Sequence, residues 1–325
     1  MTARRTLLRA TAAVAALAAT GTAPAQTFPS RNLSIVVPFA AGGPTDQLAR
    51  ALATRMQDTL GRPVIVENRP GAGGQIAAGA LRQSEPDGHT IFVGATEMFA
   101  INPTLYRKFA YEPSRDFAPV AAIAEMPMIL VVPKGSPIDS VQSLVAAARS
   151  RSGGLAYASQ GPGSIGHMLG ELVRVRTGAP LNHVPYKGSA PALQDLVGGQ
   201  VDMMFDVILA AGQLVAADKL KALAVAAPRR TPPLPNVPTL SEAGLTGADA
   251  SVWFGAVVRA GTPEPIVARL NEAMNAAIAH PEVARRFGDL GMQMLQMTPQ
   301  QFGAFMRAET ERWTPIVKAS GATVD

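Results

Sequence analysis

A repeating alternation along the chain limits the possible folds more than any other feature. Short apolar runs alternate with longer amphipathic ones, the pattern of a mostly parallel sheet flanked by helices. Leu33–Val37 predicts a strand, and Pro44–Leu60 predicts a helix with Leu48, Leu52 and Met56 at spacing four. Residues 64–66 predict a second strand, Gln75–Gln83 a small-residue helix, and 90–94 a third strand. Residues 120–124 and 128–132 predict two further strands, interrupted at Glu125 and Pro127 and closed by the Pro133–Pro137 turn. The rhythm then restarts. Strands are expected at Leu155–Ser159, 183–186, 202–205 and 221–226, with helices at 165–176, 191–197 and 208–217. A proline-rich spacer at 228–238 precedes a strand at 252–258, a helix at 263–279 and a strand at 293–297. Thr298 and Pro299 cap a last helix that ends near Ala319. The reading is therefore α/β with two lobes. Periodicity alone leaves open whether the tail is a third unit or completes the first lobe.

At 325 residues the chain is long enough for two lobes with cores of their own. Arg4, Arg5 and Arg9 precede an apolar, alanine-rich stretch at 10–19 and the small-residue run Ala23-Pro24-Ala25. Basic start, short apolar middle and A-x-A end predict a secretory signal at 1–25, shorter than the roughly 20 apolar residues of a membrane span. Export runs through the Sec route or, given Arg4-Arg5-Thr6-Leu7-Leu8, the twin-arginine route, and the expected location is the periplasm. Without those three arginines, 26 basic residues face 24 acidic ones, so no polyanionic partner is implied. No stretch interleaves basic and aromatic residues as a nucleic-acid surface does. The chain has no cysteine, which excludes a disulfide framework, thiolate ligands and a cysteine nucleophile.

Several strand-to-helix corners are rich in glycine, where backbone N–H groups approach a ligand closely and a helix start favours an anion. The first is Pro38 to Asp46, in which Asp46 also has the position of an ordinary helix-capping acid. The second is Glu67 to Gly74; its G-x-G lacks both the G-x-G-x-x-G and the Gly-Lys-Ser/Thr ending of a nucleotide loop. The third is Ser159 to Ser164, with His167 one turn on; an isolated histidine is more often a structural hydrogen-bonding group than a catalyst. Residues 183–188 and Phe205-Asp206 end the next two strands. In open parallel sheets ligands collect at the carboxyl ends of strands, so these corners are expected to face one cleft. The four histidines have no metal-binding spacing, and no G-x-S-x-G elbow is present, so neither a metal nor a cofactor is expected.

The order of these segments resembles the Bug family, the periplasmic receptors of tripartite tricarboxylate transporters. The matching stretches are 35–50 (IVVPFAAGGPTDQLAR), 66–74 (VENRPGAGG), 87–94 (DGHTIFVG), 157–167 (YASQGPGSIGH), 183–206 (HVPYKGSAPALQDLVGGQVDMMFD) and 220–226 (LKALAVA). The resemblance implies a type II periplasmic-binding-protein fold with two crossing strands and a tail that returns to the first lobe. The boundaries would be 26–124 for the first part of lobe 1, 125–252 for lobe 2, and 253–325 for the return. It also implies a small organic acid, such as a dicarboxylate, amino acid or aromatic acid, held by main-chain groups and waters. The residues it carries over are Phe39, Ala40, Gly43, Thr45 and Asp46, then Gly73 and Gly74, with Thr96 as a lesser candidate. From lobe 2 it carries Ser159, Ser164, His167 and Asp206. None is an arginine, which fits recognition by neutral donors and disfavours a citrate-like ligand with three charges.

The expected activity is thus capture without chemistry, by a monomer that delivers its ligand to membrane transporter subunits or to the periplasmic domain of a sensor kinase. A hydrolase or lyase using His167 with Ser164 or Asp206, and a scaffold with a vestigial cleft, are the other readings.

Overall fold

Residues 28–325 are described by the structure, a computed structural model; the expected export signal at 1–25 lies outside them. The first βα units form where the alternation places them. β1 (Leu33–Val37) leads through a glycine turn to α1 (Pro44–Leu60), whose Leu48, Leu52 and Met56 are buried and which ends on Gly61 in a left-handed conformation. β2 (Val64–Asn68), α2 (Gln75–Gln83) and β3 (Thr90–Ala95) follow. β1 lies between β2 and β3, parallel to both. The chain then winds through a π-helical turn, Glu97–Ile101, a single turn at Asn102–Leu105 and another at Pro113–Asp116, into β4 (Phe117–Pro133).

The second half repeats the pattern. Ser140 and Ser143 form a capping box that starts α3 (Val141–Ser150), a helix the sequence pattern did not bring out. β5 (Leu155–Ser159), α4 (Ile165–Thr177), β6 (Leu181–Pro185), α5 (Ser189–Val197), β7 (Met203–Val207), α6 (Ile208–Ala216) and β8 (Leu220–Ala226) complete it. After the proline-rich loop come β9 (Ser251–Arg259), α7 (Glu264–Ala279), α8 (Pro281–Gly288), the short β10 (Gln293–Met294) and α9 (Pro299–Ser320). α8 was not anticipated, and β10 is shorter than the expected 293–297 strand.

β4 corrects the sequence reading. Instead of two strands broken at Glu125 and Pro127 it is one strand of 17 residues. Up to Pro127 it pairs antiparallel with β9; from Met128 it pairs antiparallel with β7 and β8. The missing proline N–H therefore falls at the last position paired with β9, where the strand changes partners. The resulting order is β2-β1-β3-β9-β4 in one half and β6-β5-β7-β4-β8 in the other. β4 thus belongs to both halves, and β9, which follows the second half in the chain, lies in the first. This is a mixed α/β fold of two lobes joined by crossing strands.

The tail packs on the first half, and its last helix also reaches the second. α7 packs on α1 and β4, while α9 packs on β4, the π-helical turn and α4. The Thr298–Gln301 capping box starts α9, and its buried Glu309 accepts the indole N–H groups of Trp253 (3.0 Å) and Trp313 (3.2 Å). Among the described residues no helix is long and apolar enough to cross a membrane.

Candidate functional site

The first glycine turn is organised by its own acid. Asp46 is buried, and Oδ2 accepts the Gly42 N–H (2.8 Å) and Arg50 Nε (3.0 Å), while Oδ1 accepts Asn68 Nδ2 (2.9 Å). Burial opposes its charge, but the hydrogen bonds from Arg50, Gly42 and Asn68 outweigh burial and hold the carboxyl below its usual range. Asn68 also donates to Phe39 O (3.0 Å), which ties the end of β2 to the turn after β1. Gly43 caps α1 without a side-chain bond and Pro44 follows it. The first N–H groups of the helix, those of Thr45 and Asp46, are consequently left for another acceptor. Thr45 is buried, whereas Ala40 is exposed and Phe39 half-exposed.

The second turn carries Gly73 and Gly74 at φ 61° and 90°. A Cβ on Gly73 would sit 2.2 Å from Tyr106 Oη, so both the left-handed backbone and the close approach require glycine. Gly73 O accepts Asn102 Nδ2 (2.9 Å). The turn does contain one arginine, Arg69, but its guanidinium pairs with Glu67 (2.9 Å), outside the glycine segment. Thr96 is fully buried, and its hydroxyl accepts the Trp253 N–H (2.8 Å) and donates to Trp253 O (3.3 Å). Its polar capacity is used within the fold.

The third turn faces the second across the halves. Gly163 packs so tightly on Leu105 that a Cβ would lie 2.2 Å from Leu105 Cδ2, with Asn102 Oδ1 3.8 Å away. Asn102, which holds Gly73 O, therefore lies near the third turn as well. Ser164 caps α4, accepting His167 N–H (3.2 Å) and donating to Gly161 O (2.8 Å). His167 Nδ1 accepts the Gly163 N–H (3.0 Å), so its proton is on Nε2. The ring stacks on His183 at 3.8 Å between centroids. Burial, with His183 beside it, pushes its pKa down to about 3. His167 is a neutral ring that braces the glycine turn.

Ser159, which is fully buried, has Oγ 2.6 Å from His183 Nε2. At the end of β7, Asp206 is also fully buried. Its Oδ1 takes donors from Gln160 (2.8 Å), Ser189 (2.9 Å) and the Val207 N–H (2.7 Å), while Oδ2 takes none from the protein. Desolvation dominates and pushes its pKa up to about 6.

The candidates therefore form two groups. Phe39 to Asp46 with Asn68 is one, and Gly73, Asn102 and the Ser159–His167 corner with Asp206 is the other. Thr96 lies behind them in the sheet. Asn68, Asn102, Gln160 and Ser189 were not singled out in the sequence, although Asn68 and Gln160 stand inside the glycine-rich segments themselves. For catalysis the geometry is wrong: the Ser164 hydroxyl is bound to backbone groups, His167 Nδ1 is occupied, and Ser159 is shut off from solvent. A cavity of about 400 Å³ lined by Phe99, Phe117, Met306 and Arg307 shares no residue with these turns.

Two lobes with facing glycine corners, and at α1 a helix start without a side-chain cap, define a solute-binding protein of the periplasmic type. The chain belongs to the tripartite tricarboxylate transporter receptor family, whose model matches residues 48–322. Among solved structures, Rpa4515 of R. palustris with adipate is 37% identical, covering 91% of this chain and 100% of that one, at a TM-score of 0.80. MatC of Rhodopseudomonas palustris with bound malate is 40% identical, covering 89% and 100%, at 0.77. The periplasmic binding protein BugD is 34% identical, covering 91% and 99%, at 0.77.

Proposed function

We propose that this receptor captures a small organic acid between its lobes and hands it to the membrane subunits of a tripartite tricarboxylate-type transporter. The observation that carries this is the start of α1, where no side chain caps the first N–H groups, at a glycine corner of the first half. Asn102 holds the second glycine turn through Gly73 O, and Gly163 of the third turn packs beside it on Leu105. Neutral donors of this kind suit a carboxylate, and the similar proteins above hold adipate and malate. Phe39, Ala40, Gly43, Thr45, Asp46, Gly73 and Gly74 would form the lobe 1 wall. Ser159, Ser164, His167 and Asp206 would form the lobe 2 wall, with Asp46, Ser164 and His167 shaping turns more than touching ligand. We assign residues 26–124 and 253–325 to lobe 1 and 125–252 to lobe 2, with 1–25 removed on export to the periplasm.

Titration calorimetry against a panel of monocarboxylates, dicarboxylates, amino acids and aromatic acids tests the reading. Saturable one-to-one binding of at least one of them is expected. Binding of none, or turnover of any during the titration, contradicts it.

A further inference from the structure

Glu97 stands outside every motif in the sequence, yet it reaches across the lobes. It opens the π-helical turn after β3, and the residue before it, Thr96, is fixed to Trp253 on both sides of the hydroxyl. From there its carboxylate meets the main-chain N–H of Ile165, the first residue of α4. Burial raises its pKa, and its own N–H and that of Ile165 offset this only in part. Its Oε2 is buried and takes no donor from the protein.

The next residue along α4, Gly166, lies against the other side of this corner. A Cβ there would come within 2.4 Å of Gln160 Oε1 and 2.5 Å of Phe205 O. Gln160 gives its amide N–H groups to Phe205 O and Asp206 Oδ1, which leaves Gln160 Oε1 and Asp206 Oδ2 buried without a donor. Two buried oxygens without a donor, Glu97 Oε2 and Gln160 Oε1, thus stand beside the start of α4, and Asp206, bound to the same Gln160, holds a third. Ser164 already caps this helix start through the His167 N–H, and the chain's own Glu97 carboxyl takes the Ile165 N–H beside it. A second carboxylate on a ligand would meet Glu97 and Asp206 where it needs donors, whereas an ammonium group brings three N–H donors and a compensating charge.

We propose that Glu97 makes this receptor selective for acids whose far end carries an ammonium group over acids of equal length that end in a second carboxylate. The proposal rests on the carboxylate-receptor reading and narrows its ligand class.

Calorimetry at pH 7.5 with three matched pairs tests it: 4-aminobutyrate and succinate, 6-aminohexanoate and adipate, 4-(aminomethyl)benzoate and terephthalate. For at least one pair the wild type should bind the amino acid tenfold or more tighter than the diacid. Glu97→Gln, nearly identical in shape, should reduce that preference at least tenfold by gaining affinity for the diacid. Equal or tighter wild-type binding of the diacids overturns the proposal without any variant. So does an unchanged ratio in a folded Glu97→Gln, or no binding of all six. If other acids of the wider panel still bind, the receptor reading stands; if none does, it falls as well.

Discussion

Replacing Asp206 with asparagine changes one heavy atom and removes one titration. The side chain is fully buried, and its pKa moves from 3.8 in the unfolded chain to about 6 in the fold because desolvation outweighs three hydrogen bonds to Oδ1. A rise of about two pH units corresponds to about 3 kcal/mol, at 1.36 kcal/mol per unit. The folded state holds this proton more tightly than the unfolded one. Its contribution to stability is therefore complete below pH 3.8 and is lost as pH climbs through about 6. Asparagine has no such proton to lose. His167 runs the opposite way: its folded pKa of about 3 lies below 6.5, so its contribution is present above 6.5 and lost as pH falls. That trend is common to both proteins and cancels in their difference. Urea unfolding of ligand-free protein between pH 3.5 and 7.5 should show the stability of Asp206→Asn minus that of wild type rising by about 3 kcal/mol. Most of the rise should fall between pH 4 and 6.5, and the melting temperatures should separate by roughly 6 °C. A difference that stays flat across this range would refute a desolvated Asp206.

Asp46→Ala removes the acceptor of three hydrogen bonds within the first turn. It should cost about 2–3 kcal/mol, measured by thermal unfolding, and weaken acid binding at least tenfold in calorimetry. Ser164→Ala should cost about 1 kcal/mol as a lost helix cap and also weaken binding; wild-type affinity in both variants would remove these turns from the site. Gly73→Ala forces a Cβ against Tyr106 at a left-handed φ, and a melting temperature equal to wild type would show that the turn is not held as described. Imidazole NMR should find His167 neutral down to about pH 4; titration near pH 6.5 would contradict its burial.

Much of the architecture was readable because the alternation of apolar runs is a local property. Pro44–Leu60 emerges with the bounds its leucine spacing predicts, since proline and glycine punctuate both ends. β4 was misread because a proline normally ends a strand, and only the switch of partners at Pro127, a long-range fact, accommodates it. The glycine turns were visible for the same reason as the helices: positive φ demands a residue type. What each polar side chain does was not visible. Asp46 looks like a cap and instead binds back to Gly42; Thr96 looks available and is consumed by Trp253, 157 residues away. Glu97 acquires its role only where the halves meet, and Asn102 and Gln160 acquire theirs from partners on other turns of their own halves, none of which any spacing in the sequence encodes.

A crystal structure of the protein with the acid that binds most tightly tests the central claim. The account predicts one ligand carboxylate within hydrogen-bond distance of the Thr45 and Asp46 N–H groups, with the rest of the molecule lying between Gly73–Gly74 and the Ser159–His167 corner. An acid held elsewhere, for instance in the cavity beside Phe99 and Met306, would contradict it.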